Sequence, residues 1–296
     1  MNSFARFSLR LSLSAMTMIV FYPALLDAHA QAEKIPPFKK VVLVLFENED
    51  IGEPLSQPFF SKLAKEGALL TNYRAIAHPS QPNYIALTSG DTQGVEDDRN
   101  HDLDVRHLGN LLEEKGKTWK SYAENYPGGC FSGAKNGLYM RKHAPFISYT
   151  NVATTQRCAN IVEASQFEKD VKNNSLPNFS FYTPNMDDDV HDTNIAFGEA
   201  WFKKKFEPLL KLPGFKDVLL IVTFDENDGR DLNVVYTVLY GRGIKPGTVS
   251  RQLYTHYSLL HTIETGFALG DLGKKDAHAS VISDVWQKEV SQKPNR

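Results

Sequence analysis

Lys39-Lys40-Val41-Val42-Leu43-Val44-Leu45-Phe46-Glu47-Asn48 is the stretch that decides the fold. From Val41 to Phe46 it is apolar without a break and rich in β-branched residues. That is the composition of a strand buried on both faces of a parallel sheet. It stops at a carboxylate and a carboxamide. Asp217 to Phe224 (DVLLIVTF) repeats the pattern and stops at Asp225-Glu226-Asn227-Asp228. Further strands are expected at Leu69–Ile76, Thr118–Ala123, Asn178–Tyr182 and Val234–Tyr240. Helices are expected at Ser61–Glu66, from Ile85 to a stop at Gly90, at Leu103–Lys115, near Ala164–Lys172, at Glu199–Leu212 and at Ser258–Phe267. Residues 124–177, rich in Pro, Gly and Asn, read otherwise as extended loop, and the tail after Asp271 as polar. Strands alternating with helices imply a three-layer α/β sandwich around a mostly parallel central sheet.

The chain has 296 residues. Arg6 and Arg10 precede an apolar run from Leu11 to Leu26, and Ala28-His29-Ala30 closes it. This order of charged, apolar and small residues is that of a secretory signal peptide, residues 1–30. The run is interrupted by Ser12, Ser14, Thr17 and Pro23 and is short for a membrane span. Residues 31–296 are expected to form a single domain, with no stable membrane insertion, in a secreted or periplasmic protein. The formal charge is −2, and removing Arg6, Arg10 and Asp27 takes it to −3, so nothing favours nucleic acid as a partner. Cys130 and Cys158 both lie in the exported part, where a disulfide is the natural reading. Two free buried thiols are the alternative.

In parallel α/β sheets, ligands sit outside the carboxyl ends of the strands. Four strand ends carry chemistry here: Glu47-Asn48; Ala77-His78-Pro79-Ser80-Gln81-Pro82-Asn83-Tyr84; Asp189-Val190-His191-Asp192; and Asp225-Glu226. Pro82 suits a first helical turn. Ser80 would stand where free N–H groups and the helix dipole favour an anion, or would simply cap the helix. Several carboxylates on one rim repel one another and raise each other's pKa. A hard divalent ion on Glu47, Asn48, Ser80, Asp225 and Glu226 would resolve that conflict. It would also activate the serine hydroxyl. Adjacent strand residues point to opposite faces. Glu47 with Asn48, or Asp225 with Glu226, can therefore share one site only if the strand has begun to turn.

These motifs together resemble the phosphoesterase family of acid phosphatases and phospholipases C, and its shorter acid-phosphatase-like members above all. The matching segments are Glu47-Asn48, His78-Pro79-Ser80-x-Pro82-Asn83-Tyr84, Asn185…Asp189-x-His191-Asp192 and Thr223-Phe224-Asp225-Glu226. Weaker matches are Cys130…Arg141-Lys142-His143-Ala144-Pro145-Phe146…Cys158 and His256-Tyr257-Ser258-Leu259-Leu260. The resemblance implies an alkaline-phosphatase-like fold and one divalent metal, with Mg²⁺, Mn²⁺, Ca²⁺ and Zn²⁺ as candidates. It implies metal ligands Glu47, Asn48, Ser80, Asp225 and Glu226. Ser80 would be the nucleophile, passing through a phosphoserine. Asn48, His143 and His191 would contact phosphate, with one of the two histidines protonating the leaving oxygen. The chain departs from the family pattern at Gln81, where an aliphatic residue is common. Asp187-Asp188-Asp189-Val190 stands in place of the usual Asn-Asp-Gly before the histidine, and His261 stands where arginine is frequent.

His78 precedes a proline that favours extended backbone there, and a metal-activated serine needs no separate base. His256 could orient a ligand from behind. His101, His107 and His278 read as surface or structural. Asp225-Glu226-Asn227-Asp228-Gly229 is not a calcium loop, because its glycine falls one place early and a strand precedes it. The expected activity is hydrolysis of small-molecule phosphate monoesters. The alternatives are a phosphodiesterase of the phospholipase C kind and a non-catalytic binder of phosphate esters or metal.

Overall fold

The computed structural model describes Met1, residues 35–229 and residues 231–287. Apart from Met1, the expected signal peptide lies outside the described residues. The strands are β1 Lys40–Phe46, β2 Ala68–Leu70, β3 Tyr73–Arg74, β4 Trp119–Ala123, β5 Lys135–Asn136, β6 Tyr139–Met140, β7 Ile161–Glu163, β8 Phe179–Thr183, β9 Val218–Phe224, β10 Thr237–Gly241, β11 Thr248–Ser250 and β12 Tyr254–Thr255. The helices are α1 Gly52–Ser56, α2 Pro58–Glu66, α3 Ser80–Ser89, α4 Leu108–Glu114, α5 Thr150–Ala153, α6 Ser165–Lys172, α7 Ile195–Leu209 and α8 His256–Phe267.

Eight strands form one sheet in the order β11-β2-β10-β9-β1-β8-β4-β7. Only β10 runs against its neighbours; the other pairings in this sheet are parallel. β1 is central because its side chains are apolar on both faces, and Leu43 sits in register with Phe181 of β8 and Ile221 of β9. On one face Phe46 packs on Phe60 of α2 and Phe202 of α7, and Tyr182 packs on Phe167 of α6. On the other face Phe181 meets Tyr84 of α3, and Trp119 meets Phe146. Helices on both faces make the three layers expected from the sequence.

The run Leu69–Ile76 is not one strand. A turn at Thr71-Asn72 splits it, sending β2 to the main sheet and β3 to pair with β12. The helix expected over Leu103–Lys115 begins only at Leu108. His107 Nδ1 accepts the Gly109 N–H at 3.1 Å, Asn110 Oδ1 accepts the His107 N–H at 3.1 Å, and this capping box sets the start. Leu103 instead bridges to Tyr149. Residues 124–177 are more ordered than a loop: they hold the β5–β6 ribbon, α5, the edge strand β7 and the Cys130–Cys158 disulfide. The tail after Asp271 is not wholly polar, since Ile282, Val285 and Trp286 are buried and Trp286 packs on Phe38.

Candidate functional site

Both central strands turn at the point where their chemistry begins. β1 ends at Phe46, and Asn48 takes a left-handed φ of 54°. The Glu47 N–H donates to the Asp189 carbonyl at 2.9 Å, and the Asp225 N–H donates to the Phe46 carbonyl at 2.9 Å. These two bonds bring the ends of β1, β8 and β9 together. The Asn48 N–H donates to Asp225 Oδ1 at 3.3 Å.

Ser80 is delivered by α3, a helix buried on every side. The segment before it is pinned by buried Asn83, whose Oδ1 accepts the N–H groups of Ile76 and Ala77 at 2.8 and 3.0 Å. Asn83 Nδ2 returns a bond to the Ala77 carbonyl at 2.9 Å. At the far end Gly90 closes the helix at φ 77°, where a Cβ would fall 2.2 Å from Asp276 Oδ1. Ser80 is not the helix cap allowed for in the sequence reading. Pro79 holds that position, and Ser80 begins the helix itself, leaving its hydroxyl free of the backbone. That hydroxyl donates to Glu47 Oε2 at 2.9 Å and lies 3.5 Å from Glu226 Oε1.

Glu47, Ser80, Asp225 and Glu226 therefore meet in one buried cluster, with Asn48 joined through its backbone. Burial, then the charges of Asp225 and Asp189, drive the Glu47 pKa well up. Burial carries Asp225 up to about 7. Burial and then Asp225 carry Glu226 up to about 8. Asp225 Oδ2 has no hydrogen-bond partner among the described residues, and Glu226 Oε2 meets only His78. Oxygen donors of this kind, buried and short of positive charge, suit a hard divalent ion.

His143 approaches Glu47 from the other side. Its Nε2 lies 3.2 Å from Glu47 Oε1 and its Nδ1 lies 3.1 Å from Asp189 Oδ2. Glu47, His143 and Asp189 form a second group able to hold a cation. Burial, then Lys142 and His191, hold the His143 pKa well below its usual value. Tyr84 stacks on His143 and donates its hydroxyl to Glu47 Oε1. His191 sits nearer the surface, its ring centre 5.8 Å from that of His143, and its Nδ1 lies 2.8 Å from Asp192 Oδ1. Val190 takes φ 90°, which answers the unusual sequence there: a β-branched residue fills a left-handed turn where glycine would be unstrained.

His78, which the sequence left as a lesser candidate, reaches the site, with Nδ1 2.8 Å from Glu226 Oε2. His256 lies behind the site as expected: Nε2 is 2.7 Å from the Asp225 carbonyl and Nδ1 is 2.9 Å from the Tyr73 hydroxyl. His107 is buried and caps α4. Asp189, Tyr84, Lys142 and Asp98 also belong to the site; Asp189 was read at a chemistry-bearing strand end, but none of the four was assigned a role from sequence. The first three stand inside matched motifs, which was a usable signal. Asp98 sits in an acidic loop with no pattern to mark it.

The model of the Phosphoesterase family matches residues 28–270. A phosphate-repressible acid phosphatase from Penicillium chrysogenum is 38% identical over 264 residues, covering 85% of this chain and 64% of that protein. The chain thus spans less than two thirds of that fungal relative. A phosphatidylinositol-3-phosphatase from Mycobacterium tuberculosis is 36% identical over 261 residues, covering 86% of this chain and 85% of that protein. Among solved structures, a protein of the alkaline phosphatase superfamily from Vibrio parahaemolyticus superposes with a TM-score of 0.56 at 15% identity, over 82% of this chain and 71% of that one. That likeness shows the α/β fold of the superfamily. The family match over residues 28–270, with these relatives, establishes that this chain belongs to the Phosphoesterase family.

Proposed function

We propose that this chain is an exported, metal-dependent phosphohydrolase acting on small phosphate monoesters, with Ser80 as the nucleophile. The observation that carries the reading is the Ser80 hydroxyl, buried 2.9 Å from Glu47 Oε2 and 3.5 Å from Glu226 Oε1, beside Asp225, whose Oδ2 lacks a hydrogen-bond partner among the described residues. Relatives named acid phosphatase support the monoester preference. Glu47, Asn48, Ser80, Asp225 and Glu226 would hold one divalent ion. When bound, it would lower the pKa of the serine hydroxyl and offset phosphate charge.

Glu47 orients Ser80 and stands where the hydroxyl proton can go. Ser80 Oγ attacks phosphorus in line. The bond to the leaving oxygen breaks with its electron pair, and water later frees the phosphoserine. His191 is the histidine placed for the leaving oxygen, because it is part-exposed and oriented by Asp192. His143 is enclosed by Glu47 and Asp189 and holds them in place. Export is supported by the leader-like residues 1–30 and by the disulfide. No helix among the described residues is long and apolar enough to cross a membrane.

Release of p-nitrophenol from the mono- and bis-ester of phosphate, after chelation and metal add-back, tests the reading. The monoester should be the better substrate, and Ser80→Ala should lower kcat by about 10³-fold or more with the fold intact. Near-normal turnover by Ser80→Ala contradicts the nucleophile. Preference for the bis-ester selects the phosphodiesterase, and binding without turnover under any metal selects a binding protein.

A further inference from the structure

A cationic side chain stands beside the carboxylate cluster, on Asp98 and His191. Lys142 is 8% exposed and lies on the 3-10 turn Arg141–His143 that also delivers His143. Arg141 anchors this turn by donating to the carbonyls of Ser132 and His101 at 2.8 and 2.9 Å. Lys142 Nζ lies 2.8 Å from Asp98 Oδ2 and 3.3 Å from His191 Nε2. An ammonium has three N–H donors and no acceptor. His191 Nε2 is therefore the acceptor in that contact, which puts the ring proton on Nδ1, facing Asp192. Among the described residues, Asp98 and His191 use two of the three donors. The third is left for a ligand.

Asp98 also reaches the helix of the nucleophile. Its Oδ1 accepts the N–H of Gln81, the residue after Ser80, at 3.0 Å. One carboxylate thus ties the ammonium to the first turn of α3, where an anion is favoured. The Lys142 charge acts on Glu47, Asp189, Asp225 and Glu226 alike.

We propose that Lys142 is a substrate-contacting residue whose ammonium binds a non-bridging oxygen of the phosphoryl group at Ser80, and that Asp98 is the positioning residue that aims it. This rests on the reading of Ser80 as the phosphoryl acceptor. As the Oγ–P bond forms and the bond to the leaving oxygen breaks with its electron pair, Lys142 gives up no proton. It offsets charge on the phosphoryl oxygens. Moving one N–H from His191 Nε2 to phosphate frees that ring nitrogen to take a proton from solvent, which the imidazolium can then give to the leaving oxygen.

The test uses the full chain with metal supplied. Calorimetry measures the affinity for inorganic phosphate and, separately, for Mn²⁺, and p-nitrophenyl phosphate gives kcat and KM. Lys142→Met is expected to lower kcat/KM by about 10²-fold and to weaken phosphate by about tenfold, with Mn²⁺ affinity unchanged or raised. Lys142→Arg should recover part of both losses, and Asp98→Asn should weaken phosphate by about threefold or more. Phosphate affinity unchanged in both Lys142→Met and Asp98→Asn overturns the proposal, as does a loss matched by an equal loss of Mn²⁺ affinity. Should Lys142→Met fail to fold, Asp98→Asn alone decides by the same criterion. A wild type that binds phosphate but releases none from any ester removes the hydrolase reading, while the phosphate affinities still decide Lys142.

Discussion

Asp170 and Asp225 are both buried aspartates, and their surroundings could hardly differ more. Asp170, on α6, accepts hydrogen bonds from Lys120 Nζ at 2.6 Å, Tyr122 Oη at 2.7 Å, Gln166 Nε2 at 3.0 Å and Ser175 Oγ at 3.2 Å. Burial pushes its pKa up, but those donors, Lys120 foremost, outweigh burial and hold it below the usual carboxylate range. Asp225 has one oxygen with no hydrogen-bond partner among the described residues, and burial lifts it to about 7. Native folds leave few buried polar groups unsatisfied. A carboxylate satisfied by its own chain contributes to stability. One left short of positive charge, beside a buried serine and other carboxylates, is placed for a charge that comes from outside.

Neutralising each aspartate should separate the two roles. Asp225→Asn should lower kcat/KM by about 10³-fold on a phosphate monoester. In the chelated protein the same change should raise stability by about 1 kcal/mol, because a poorly compensated buried charge is gone. Urea unfolding of the chelated protein measures that gain, and a loss instead would place Asp225 with Asp170. Asp170→Ala should cost about 3 kcal/mol in stability, since Lys120 and Tyr122 lose their partner, with kcat per folded molecule unchanged. Because the folded pKa of Asp170 lies below its unfolded value, its contribution is present above about pH 4 and is lost as pH falls through the folded pKa. The stability gap between wild type and variant should therefore hold from pH 7 to about pH 4 and narrow only below it.

Glu264 is a third case, on α8. Both of its oxygens lack hydrogen-bond partners among the described residues, and burial, then Asp276, lifts it to about 9. The unfolded chain ionises this group near the ordinary glutamate value of 4.5, while the folded chain keeps the proton to higher pH. Stability should therefore fall as pH rises from about 4.5 to 9, by up to about 1.4 kcal/mol per pH unit. Glu264→Gln should flatten that slope without changing kcat, and an unchanged slope would mean that Glu264 has a compensating partner.

The same contrast explains what the sequence made legible. β1 and β9 stood out because strands buried on both faces are apolar at every position. The residues just past them stood out because polar groups there break that rule. Glu47, Asp225 and Glu226 were therefore readable one by one, Ser80 was readable from the prolines at the start of its helix, and the turn at Asn48 follows directly on Glu47. Tyr84 was harder to see, because inside an apolar helix a tyrosine reads as core and its hydroxyl contact with Glu47 has no periodic signature. Lys142 and Asp98 are 44 positions apart and meet only through tertiary packing. The cap position of Ser80 depended on whether Pro79 or Ser80 enters the helix first, a one-residue difference that composition does not decide.

The central claim is that the carboxylates around Ser80 await a divalent cation. Calorimetric titration of Mg²⁺, Mn²⁺, Ca²⁺ and Zn²⁺ into the chelated wild type and into Asp225→Asn tests it most directly. The account predicts saturable binding of at least one ion by the wild type, restoring phosphate release, and binding weakened by about tenfold or more in Asp225→Asn. Full phosphate release by a chelated wild type that binds none of the four ions would contradict it.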